Sequence, residues 1–108
     1  MPQQRPVRAH VNIEVRPGFT ADHIAVIRNI SLSGCLLVTR AKLKQSQQLS
    51  LGIPVEGGGE IHVPGAVVRL HSEGAGGWDE YGVSFDPVSE ENRRALALVV
   101  AGGVDLAP

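Results

Sequence analysis

The chain has 108 residues, 43% of them apolar and 19% charged, with a net charge of −1. That length is about one domain's worth, residues 1–108 with a core about 4–101, and the balance excludes global disorder. A near-neutral chain is a poor match for DNA or RNA, and the aromatics are so few that Val, Ile and Leu must build the core.

The first five residues, Met1-Pro2-Gln3-Gln4-Arg5, carry no apolar signal region, and no stretch reaches the roughly 20 apolar residues needed to span a bilayer. A cytoplasmic chain with no membrane insertion is therefore expected. Val11, Ile13 and Val15 alternate with Asn12, Glu14 and Arg16, the period-two mark of a half-buried strand, and Pro17-Gly18 breaks it. An apolar pattern resumes from His23 to Ile30. Ser31–Gly34 interrupts it, and Cys35–Thr39 reads as a third strand.

A single cysteine, Cys35, cannot form an internal disulfide, and its apolar surroundings predict an inert core thiol rather than a nucleophile. Arg40–Gln48 is polar and reads as a connection, and Leu49, Leu51 and Ile53 form a fourth strand. Ile61–Leu70 is a long β-rich run whose Pro64-Gly65 suggests a bulge, a bend or an edge position. Trp78, after a glycine-rich turn, is either an exposed contact or a barrel plug. Asp79 and Glu80 read as a solvated face. Tyr81, Val83 and Phe85 make the last strand, which Asp86-Pro87 stops.

The period then changes. Ser89 is suited to cap a helix, and Glu90 and Glu91 sit where the helix dipole favours negative charge. Leu96, Val99 and Val100 offer an apolar face, and Gly102-Gly103 supplies a stop. The expected architecture is all-β, a six-stranded antiparallel barrel with a C-terminal α-helix. His10, His23, His62 and His71 lack metal-ligand spacing, the glycines match no phosphate loop, and no nucleophile, base and orienting group stand out. The expectation is therefore not an enzyme.

Four segments together resemble the PilZ domain family. Asn29-Ile30-Ser31-Leu32-Ser33-Gly34 fits its Asp/Asn-x-Ser-x-x-Gly signature, and Gly65-Ala66-Val67-Val68-Arg69 resembles its Gly-x-Val-x-Arg strand. Tyr81-Gly82-Val83-Ser84-Phe85 resembles its Gly-Val-x-Phe strand, and Ser89–Arg94 the opening of its last helix. The resemblance runs from about Gln4 to Val100 and implies the barrel above. It also implies a bacterial receptor for the second messenger cyclic di-GMP, acting through an unidentified protein partner in motility or biofilm regulation, with no further cofactor. The alternative is a degenerate adaptor that binds no nucleotide and works only through protein contacts.

In the family a second motif, Arg-x-x-x-Arg, precedes the first strand on a segment expected to be a loop. Here Arg8 matches its second arginine, Gln4 stands where the first belongs, and Arg5 falls one residue late. Glutamine offers an amide but no charge, so it is weaker against phosphate. The implied ligand-binding set is Gln4, Arg5, Arg8, Asn29, Ser31, Gly34 and Arg69. Asn29 and Ser31 would meet guanine edges or close a turn on their own backbone. Gly34 would admit the ligand without a Cβ clash. Arg5 and Arg8 would grip phosphate or guanine, or belong to a solvated tail, and Arg69 would face the ligand or open solvent.

Overall fold

Alternation sends every second side chain of a strand to one face, and here that face closes on itself. The computed structural model describes residues 7–16, 19–55 and 57–101. Strands β1 (Val7–Arg16), β2 (Phe19–Ile30), β3 (Gly34–Thr39), β4 (Gln48–Pro54), β5 (Glu60–Ser72) and β6 (Asp79–Phe85) precede the helix α1 (Glu90–Val100). They close into an antiparallel barrel in the order β1-β2-β3-β6-β5-β4. Closure gives each of the six strands two strand neighbours, so none is an edge strand along its whole length.

The interior is aliphatic, as the scarcity of aromatics requires. Val11, Ile27, Leu37, Leu51, Ile53 and Val63 are fully buried. The helix lays Leu96 and Val99 on this core, while Val100, expected on the same face, is exposed. Ser89 caps it: the Asn92 N–H donates to the Ser89 hydroxyl at 3.1 Å, with Glu90 and Glu91 in the first turn. Pro17-Gly18 and Gly102-Gly103 lie outside the described residues.

Three local expectations are corrected. The segment carrying Arg8 is strand, not loop, because the β1–β2 ladder continues back through Arg8↔Val26 to Val7↔Ile27. Pro64-Gly65 is not bulged, and it is at an edge only in that the β6 side of the strand is unpaired at Pro64. Pro64 pairs with Ser50 of β4, and the ladder to β6 starts at Gly65↔Phe85. The proline carbonyl accepts the Asp86 N–H at 2.8 Å, so its missing N–H falls where the β6 ladder has already ended. The shifts in β5 register come later, between Val67 and Arg69 and between Leu70 and Ser72. Asp79 and Glu80, expected on a solvated face, are each only 7% exposed. Each is buried against a cation, Lys42 of the connection after β3 for Asp79 and Arg28 of β2, reaching across β3, for Glu80.

Candidate functional site

The site begins with one extra residue. The β2–β3 ladder pairs Ile27 with Leu37 and then Asn29 with Leu36, so Arg28 is the inserted residue of a β-bulge. Ile27 points into the core, Arg28 and Asn29 are both exposed, and Ile30 turns back inward opposite Cys35. A regular strand would have aimed Asn29 at the core. The bulge puts two consecutive polar side chains on the outer wall.

A tight turn follows. The Ser31 N–H donates to the Gly34 carbonyl at 2.8 Å, and the Ser31 hydroxyl donates to the same oxygen at 3.3 Å. That hydroxyl also accepts the Ser33 N–H at 3.2 Å. Ser31 thus closes the turn on its own backbone, while the Asn29 amide has no hydrogen-bond partner among the described residues. Gly34 faces β6, where a Cβ would collide with the Val83 carbonyl oxygen. Asn29, Ser31, Gly34, Cys35 and Leu36 line an open cleft of about 230 Å³.

Ladder registers show what shares this wall. Asn29 pairs with Leu36, Leu36 with Gly82, and Gly82 with Arg69, so the four form one row across β2, β3, β6 and β5. Arg69 is exposed on the same face, three strand spacings or roughly 14 Å from Asn29. Arg8 is exposed on β1 opposite Val26. One strand across and three residues along, Val26 to Asn29, place its Cα roughly 11 Å from that of Asn29 on the same outer side of the sheet. Arg8, Asn29, Ser31, Gly34 and Arg69 therefore gather on or beside one outer face. Gln4 and Arg5 lie outside the described residues.

Three further residues on this face were not assigned to the site from the sequence. Arg28 Nη1 donates to Glu80 Oε2 at 3.1 Å, and His71 Nε2 lies 3.5 Å from Glu80 Oε1. The pair is separated by 52 residues, and the one local signal is that Arg28 directly precedes the Asn29 motif.

Elsewhere the polar groups hold the scaffold. Lys42 Nζ donates to Asp79 Oδ2 at 2.8 Å, which raises the lysine pKa and lowers that of the carboxyl, the Gly74 N–H helping the latter from 3.3 Å. Trp78 is 41% exposed, with the Arg40 guanidinium 5.8 Å from its ring centroid. It is a surface contact, not a plug.

Burial pushes the Cys35 thiol up to about 12. Since thiolate is the reactive form, the folded protein at pH 8 should resist a thiol reagent that labels Cys35 rapidly in urea. Equal labelling rates in the two conditions would show that Cys35 is not held in the core.

A family model for the PilZ domain matches residues 2–102. No curated protein matches the chain. Among the described residues, no helix is long and apolar enough to cross a membrane.

Proposed function

The chain belongs to the PilZ domain family, and from that membership we propose that it is a non-catalytic cytoplasmic receptor that binds cyclic di-GMP and relays the signal to a protein partner. The observation that carries this reading is the convergence of the Asn29 cleft, Arg8 and Arg69 on one outer wall.

The ligand presents two phosphates and two guanines. A guanidinium matches either a phosphate or the O6 and N7 edge of guanine, because its donors form a fixed fork. The cleft, at about 230 Å³, is below the ~300–1,000 Å³ of enclosed small-molecule sites. It suits one base beside the Asn29 amide, with the rest of the ligand lying along the open wall toward Arg8.

The same turn offers a route outward. Leu32 and Ser33 line a second groove, of about 350 Å³, together with Phe85 of β6 and Arg93 and Leu96 of α1. The Ser33 carbonyl also accepts the Phe85 N–H at 2.8 Å. A ligand that orders Ser31 thereby bears on the surface beside α1.

A second reading, the adaptor that binds no nucleotide, is favoured by Gln4 in place of the first motif arginine. Calorimetric titration with cyclic di-GMP at one fixed salt concentration separates the two. Submicromolar binding by the natural chain would overturn the adaptor reading. No binding at millimolar ligand would overturn the receptor. If the receptor reading holds, Arg8→Ala should weaken binding about tenfold or more, since hydrogen bonds to charged groups contribute roughly 1.5–3 kcal/mol each. Unchanged affinity would remove Arg8 from the site.

A further inference from the structure

We propose that Arg28 is an additional phosphate-binding guanidinium of this cleft, held in reserve by Glu80 and released when the ligand arrives. The proposal rests on the cyclic di-GMP reading and adds a residue outside both family motifs.

Arg28 is the inserted residue of the bulge, so it leaves the same outer wall as Asn29 and immediately beside it. Its side chain crosses the outer surface of β3 to reach β6, and Leu36 of β3 is a wall of the cleft. Glu80 pairs with Val38, two residues beyond Leu36, so the guanidinium rests on the side of Leu36 away from the Ser31 turn and reaches the cleft only by swinging back. Of its five N–H donors, the Glu80 contact engages a single nitrogen, and the side chain is 58% exposed. Donors remain for a phosphate oxygen.

Glu80 is the opposite case. Its side chain is 9% exposed and is shared between Arg28 and His71. A buried carboxylate left without partners is costly. When Arg28 swings to a phosphate, the His71 ring remains beside Glu80, its Nε2 3.5 Å from Oε1, so the carboxylate keeps one polar neighbour. The carboxylate does two things to an anionic ligand: it competes for Arg28, and its own charge opposes the phosphate. Arg28 also places a positive charge beside the cleft in a chain whose first motif position holds Gln4.

The test is a double-mutant cycle read by calorimetry with cyclic di-GMP: natural chain, Arg28→Ala, Glu80→Gln and the double variant. Arg28→Ala should weaken binding about tenfold, the size of one lost charge-assisted contact. Glu80→Gln should strengthen it several-fold, and that gain should vanish in the Arg28→Ala background. Full affinity in Arg28→Ala would overturn the proposal and leave the receptor reading standing. An equal gain from Glu80→Gln in both backgrounds would overturn the reserve role, showing that Glu80 acts by its field alone. Absence of binding by the natural chain would overturn the receptor reading and this proposal together. Should Glu80→Gln fail to fold, Arg28→Lys serves with Arg28→Ala. It keeps the charge on Glu80 but loses the fork, so binding weakened in both variants supports the contact, and affinity unchanged in both overturns it.

Discussion

Leu37→Ala is expected to remove about 3 kcal/mol of stability, within the 2–5 kcal/mol typical of large-to-small changes in a core. Leu37 is fully buried at the middle of β3, paired with Ile27 on β2 and with Tyr81 on β6. Deleting its isobutyl group opens a cavity that the surroundings cannot close. The walls are strands laddered on both sides in a closed barrel. The Tyr81 ring is also fixed, its hydroxyl accepting the Leu43 N–H at 3.1 Å. With total stabilities of about 5–15 kcal/mol for small domains, a loss of that size is a large share of the whole. It corresponds to a fall of roughly 12–24 °C in Tm at about 4–8 °C per kcal/mol. Urea denaturation followed by circular dichroism measures it. Leu37→Met, which nearly conserves volume, should cost less than about 1.5 kcal/mol. Equal midpoints for the natural chain and Leu37→Ala would place Leu37 outside the core.

Gly34→Ala is expected to cost about 1–3 kcal/mol and to weaken cyclic di-GMP binding as well. The obstacle is backbone: the new methyl group would meet the Val83 carbonyl oxygen of β6, which cannot rotate away as a side chain would. Relief requires β3 to move off β6 at Gly34↔Ser84, and that shifts the Ser31 turn and the cleft it lines. The stability loss needs no ligand. A Gly34→Ala protein with an unchanged urea midpoint but weakened binding would mean that the glycine serves ligand approach alone, and the clash with β6 would be refuted. Gly82→Ala is the control. A methyl group there meets Arg69 Cγ at an ordinary 3.8 Å, so its midpoint should move far less.

Much of this protein is written in short stretches. The two-residue period of Val11–Val15, Leu49–Ile53 and Tyr81–Phe85 marks strands because alternation is a property of each strand alone. Ser89, Glu90 and Glu91 mark the helix start because capping and dipole effects act within one turn. The hexapeptide at Asn29–Gly34 marks a turn because it closes on its own atoms, and it marks the candidate site only through its match to the family signature.

What only the tertiary structure decided depends on a partner strand. The bulge at Arg28 exists because β3 offers one residue against two, and no property of Ile27-Arg28-Asn29 by itself announces it. Yet it turns Asn29 outward instead of into the core. The Arg28–Glu80 pair, the burial of Asp79 and Glu80, and the row from Asn29 to Arg69 all require ladder registers between strands far apart in the chain. Local pattern decides that a residue lies in a strand. Register decides which wall it faces and which charges it meets, and register is settled only when the barrel closes.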